Sequence, residues 1–103
     1  MDIVTTKEVE KKLDDHELIH LIDVREVDEV LQGVIPGVTH IPLGLLEFRL
    51  HELDKSKEYI MVCRSGNRSG IAAQFLESQG FHVKNMVGGM LEWEGKVVQK
   101  NFD

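Results

Sequence analysis

The sequence predicts an α/β domain of three layers, a small and mostly parallel sheet covered by helices on both faces. Three observations carry that prediction. Short β-branched runs alternate with segments of helical spacing along the whole chain. The runs are nearly continuous in hydrophobicity, as in strands buried on both faces. Finally, 103 residues with 42% hydrophobic composition suit one compact core, so residues 1–103 are expected to form one domain.

Each element follows from local signals. Thr5-Thr6-Lys7-Glu8 has the capping-box pattern, and Val9 and Leu13 follow at helical spacing, which predicts a first helix from Thr6 to Leu13. Ile19 to Val24 reads as a buried strand. Glu26 to Gln32 reads as a short helix stopped by Gly33, and Ile35-Pro36-Gly37 as a turn. Thr39-His40-Ile41 makes a second short strand, ended by Pro42.

Leu43, Leu46, Leu50 and Leu53 mark one face of a predicted helix. Glu58 to Val62 is the next strand. Ser69 to Gln79 returns to helical spacing, with Ala72, Phe75, Leu76 and Gln79 in one stripe and Gly80 as the stop. Val83 to Val87 reads as a last core strand, and Gly88-Gly89 opens a short helix carrying Met90, Leu91 and Trp93. No internal repeat, linker or low-complexity segment interrupts this order.

Composition narrows the function classes. A net charge of −6 argues against nucleic-acid binding, which needs a basic stripe. A single cysteine rules out an internal disulfide framework, and the five histidines lack the clustered spacing of metal ligands, so no metal site is expected. Met1-Asp2-Ile3-Val4 lacks the basic start and apolar run of a signal peptide. No apolar stretch approaches the roughly 20 residues that span a bilayer. No membrane association is expected, and a lone thiol suits a reducing, cytoplasmic setting.

The informative segment is Cys63-Arg64-Ser65-Gly66-Asn67-Arg68. A strand delivers a cysteine at its carboxyl end, and a short polar loop leads into a helix. Ligand sites of parallel sheets lie beyond those ends. The backbone N–H groups of such a loop can form an anion-binding nest, and the helix N-terminus adds its positive end. Gly66 permits the turn, while Arg64 and Arg68 add two permanent charges. These features lower a thiol pKa, which makes Cys63 a candidate nucleophile. A cysteine at a strand end is often only a small buried hydrophobe. That reading leaves Arg64, Gly66, Arg68 and Ser69 around it unexplained.

This loop resembles the rhodanese family pattern Cys-Arg-x-Gly-x-Arg-Ser, matched at Cys63, Arg64, Gly66, Arg68 and Ser69. Leu21-Ile22-Asp23-Val24-Arg25-Glu26 resembles the family's Asp-Val-Arg signature. The stretch from Gly33 to Pro42 is similar to its Gly-His-Ile-Pro-Gly-Ala-x-Asn-Ile-Pro segment, and the stretch from Val87 to Trp93 to its Gly-Gly-x-x-x-Trp element. Val34 stands where the family has histidine, and His40 where asparagine is common. Both lie outside the loop. Asp23 and Arg25 read as structural anchors.

The resemblance implies a single-domain sulfurtransferase with no metal, flavin or nucleotide cofactor. Cys63 would take the outer sulfur of thiosulfate or a persulfide and pass it to cyanide, a thiol or a protein. The substrate-binding residues would be Arg64, Ser65, Gly66, Asn67 and Arg68. Two alternatives stay open: a persulfide carrier loaded by a protein partner, and a non-catalytic interaction module of the same fold. A cysteine phosphatase or arsenate reductase is disfavoured, because such a cradle has five residues between Cys and Arg. Here four separate Cys63 from Arg68.

Overall fold

The computed structural model describes residues 1–100. Five strands run parallel: β1 (Asp2–Val4), β2 (His20–Asp23), β3 (Thr39–His40), β4 (Glu58–Val62) and β5 (His82–Met86). Their spatial order is β1-β5-β4-β2-β3, which places β4 at the centre. Among the described residues four α-helices accompany them: α1 (Thr6–Asp14), α2 (Val27–Val30), α3 (Asn67–Ser78) and α4 (Gly89–Glu92).

Strand alternation divides the core in two. Tyr59, Met61 and Cys63 point to the face covered by Ala72, Ala73 and Leu76 of α3. Ile60 and Val62 point to the opposite face, with Val9 of α1 and Val30 of α2. Helices therefore cover both faces of a parallel sheet, the predicted three-layer arrangement. Thr5 caps α1 as its sequence announces: Glu8 N–H donates to Thr5 Oγ1 at 3.1 Å, and Thr5 N–H to Glu8 Oε1 at 3.1 Å.

Three expectations change. The leucine-marked segment is not one α-helix but two 3₁₀ helices, Leu43–Phe48 and Leu50–Glu52, broken at Arg49. The leucines fall as two pairs three residues apart, Leu43 with Leu46 and Leu50 with Leu53, and residues i and i+3 eclipse in a 3₁₀ turn. Strand β1 was not expected. It has three residues on the sheet edge, and of these only Val4 is buried, so no alternation announces it. Trp93 lies just beyond α4 as its C-cap, half-buried, with its indole N–H donating to Lys96 O at 3.1 Å.

Asp23 and Arg25 form an ion pair inside the fold. Arg25 Nη2 lies 2.8 Å from Asp23 Oδ2, and Arg25 Nε 3.0 Å from Oδ1. Asp23 is fully buried and Arg25 nearly so. The guanidinium also donates to Gly33 O at 2.9 Å and to Glu29 O at 3.4 Å. It thus ties β2 to α2 and to the turn after it. The two family departures both serve this region: Val34 is buried and bridges Val98, and His40 Nε2 lies 2.7 Å from Arg25 O.

Candidate active site

Cys63 follows the last residue of the central strand, and the loop that leaves it folds back over its sulfur. Gly66 N–H donates to Cys63 Sγ at 3.1 Å, and Ser69 Oγ lies 3.2 Å from it. Gly66 is the N-cap of α3 and holds φ at +100°, a left-handed conformation in which other residues are strained. A Cβ there would also come within 3.3 Å of Gly88 N. The twelve residues of α3 aim their positive end at the same place.

A second element holds the loop from behind. Met90 N–H donates to Cys63 O and Leu91 N–H to Arg64 O, both at 2.9 Å. So close an approach needs Gly89, because a Cβ there would lie 2.4 Å from Arg64 O. The Gly88-Gly89 pair is therefore part of the loop's support as well as the start of α4.

A buried polar chain completes the site. Ser69 Oγ donates to Asn85 Oδ1 at 2.5 Å, and Asn85 Nδ2 donates to Gly66 O at 3.1 Å. Asn85 thereby holds both groups that touch the sulfur. The hydroxyl has one hydrogen. When Cys63 is a thiol, it donates to Ser69 while Ser69 donates to Asn85. When Cys63 is ionised, the Ser69 hydrogen can turn to the sulfur.

Burial pushes the Cys63 thiol up. The Ser69 hydroxyl and the backbone N–H groups of Ser69, Gly66 and Ser65 pull it down, and the net result lies below the ordinary thiol value. Iodoacetamide alkylation of Cys63 should accordingly rise with a midpoint below the free-thiol value of about 8.5. Because Cys63 is fully buried, opening of the loop should scale the absolute rate without moving the midpoint. Ser69→Ala should raise the midpoint. A midpoint unmoved by that change would mean the hydroxyl does not stabilise the thiolate.

The predicted residues fall into three groups. Cys63, Gly66 and the Ser65 backbone meet at the sulfur. Arg64 and Asn67 are exposed, and the Arg64 guanidinium makes no hydrogen bond or ion pair among the described residues. Arg68 does not stand open. Its Nη1 and Nη2 meet Glu29 Oε1 and Oε2 at 2.6 and 2.7 Å, a two-pronged pair that holds Glu29 down to about 2.

Sequence reasoning missed Glu29 and Asn85 and gave Ser69 only a place in the motif. Asn85 left a trace, as a polar residue between Val83 and Val87 on the face of β5 that alternation makes apolar. Glu29 left less. It is one of three acids in Glu26-Val27-Asp28-Glu29, and nothing local marks which one reaches the loop.

Residues 5–96 match a family described as a rhodanese-like domain. YtwF of Bacillus subtilis (strain 168) is 43% identical over 98 residues, covering 95% of each chain. A protein of Allochromatium vinosum named "Sulfurtransferase" is 34% identical over 91 residues, covering 87% of this chain and 85% of its own. Among solved structures, a rhodanese-like domain protein from Staphylococcus aureus superposes with a TM-score of 0.92 at 31% identity, over 98% of this chain and 100% of that one.

Proposed function

The chain belongs to the rhodanese-like domain family, and on that premise we propose that residues 1–103 act as one sulfurtransferase domain that carries a sulfane sulfur on Cys63. The observation behind this reading is the sulfur atom itself. It stands at the carboxyl end of the central strand, with the Gly66 N–H donating to it and the Ser69 hydroxyl oxygen in hydrogen-bond contact with it.

The reaction has two displacements. The Cys63 thiolate attacks the outer sulfur of a donor, and a new S–S bond forms as the donor's own bond to that sulfur breaks. The electron pair leaves with sulfite when the donor is thiosulfate, or with a thiolate when it is a persulfide. The loop N–H groups then hold the outer sulfur of the Cys63 persulfide, as charge-assisted bonds of roughly 1.5–3 kcal/mol each. An acceptor nucleophile (cyanide in an assay, a thiol or a protein thiol otherwise) takes that sulfur and restores the thiolate. Arg64 faces incoming anions, and Asn67 and Arg68 begin the helix that roofs the site.

Intact-mass measurement after incubation with a sulfur donor tests this directly. One added sulfur, about 32 Da, should appear at the only thiol and disappear with a thiol reductant. Loading by a persulfide but not by saturating thiosulfate would favour the carrier form of the reading. No added mass with either donor would remove the sulfurtransferase reading altogether.

A further inference from the structure

The following inference rests on the sulfurtransferase reading and concerns which donor the site accepts. Two guanidinium groups belong to the Cys63 loop, but one of them has its charge already matched. The Arg64 side chain is exposed, and its guanidinium has no partner among the described residues. Arg68 is joined to Glu29 by two hydrogen bonds of 2.6 and 2.7 Å, with both side chains partly buried. A planar guanidinium engaged along one edge by a carboxylate has little net charge to offer a second anion. Glu26, which is exposed, adds a further negative charge that acts on Arg68.

Thiosulfate is a dianion. Bringing it to the Cys63 thiolate gathers three negative charges where, of the loop's two arginines, Arg64 alone offers a charge unmatched among the described residues. A hydropersulfide, R–S–SH, brings no charge on the sulfur that is transferred.

We propose that Glu29 is a specificity-determining residue, which by neutralising Arg68 turns the site away from dianionic donors and toward the hydropersulfides of thiols. In the favoured step the Cys63 thiolate attacks the terminal sulfur of R–S–SH. The Cys63–S bond forms, the donor's S–S bond breaks, and R–S⁻ leaves with the electron pair and takes a proton from water. No external oxidant is needed. Glu29 is fixed for this role from two directions. Its Oε1 accepts the Glu26 N–H at 3.0 Å, and its carbonyl accepts from Arg25 at 3.4 Å. Its reach to Arg68 is thus set by the fold rather than by a loose surface encounter.

The test compares single-turnover loading of the full chain, read by intact mass, with thiosulfate and with zwitterionic cysteine persulfide. Glu29→Gln keeps the acceptor for Glu26 N–H and the shape of the side chain, and leaves Arg68 with its charge unmatched. Thiosulfate loading should quicken about tenfold, and persulfide loading should change by less than about twofold. Adding Arg68→Met should cancel the gain. An equal change with both donors, or no change with thiosulfate, would overturn the role of Glu29 while the parent protein still loads. If the parent loads with neither donor, the sulfurtransferase reading falls, and this inference falls with it. A measurement on the unsubstituted protein guards against a variant that fails to fold. Sulfate, a dianion, should leave Cys63 alkylation unslowed up to about 50 mM, whereas protection near 1 mM would show an open dianion site and overturn the proposal.

Discussion

Cys63→Ser should take sulfur loading below detection while the protein stays folded. The substitution removes the only thiol in the chain, so no other side chain can form a persulfide in its place. A serine hydroxyl at this position does not ionise near neutral pH and is no substitute for the thiolate. The fold should tolerate the change. The hydroxyl is smaller than the thiol and can accept from Gly66 N–H and exchange a hydrogen bond with Ser69, the two groups that now meet the sulfur. Thermal unfolding should therefore stay close to that of the parent while the added 32 Da vanishes. If the serine protein transferred sulfur from donor to acceptor at the parent rate, Cys63 would be a core residue and the loop around it would need another explanation.

The loop was legible in the sequence because its signals are local. A strand, a cysteine, a glycine and a helix start lie in consecutive residues, and the glycine's left-handed backbone follows from its type. Strands β2, β4 and β5 were legible for the same reason, as short apolar runs closed by turn residues. What was not legible depends on distance. Glu29 reaches Arg68 across 39 residues of sequence, and Asn85 reaches Ser69 across 16. The parallel sheet creates both meetings by placing β2 and β5 on either side of β4. No periodicity in a single segment encodes a partner in another. The two 3₁₀ helices escaped for a different reason. Leucines three and four residues apart satisfy an α-helical stripe, yet a spacing of three within each pair serves the tighter turn equally well.

This dependence on tertiary pairing makes Arg25 the position where a single change should damage stability most. Arg25→Met leaves the Asp23 carboxylate fully buried without its counter-charge, and leaves the Gly33 carbonyl without the guanidinium that donates to it. Breaking a buried pair from one side costs about 3–5 kcal/mol, a large part of the roughly 5–15 kcal/mol that holds a domain together. In a chain of this size the melting temperature should drop by more than about 10 °C. Replacing both partners, as Asp23→Leu with Arg25→Met, should recover part of that loss, because the stranded charge is then gone. The recovery should be incomplete, since the Gly33 carbonyl loses its guanidinium donor. The damage should also spread to the site, because Arg25 fixes the backbone of Glu29, and Glu29 in turn holds Arg68 beside Cys63. Thermal melts of the two variants, set beside loading rates measured well below the transition, separate the two effects. A melting temperature unchanged in Arg25→Met would mean that water reaches Asp23 and that the pair is not the closed, buried contact described above.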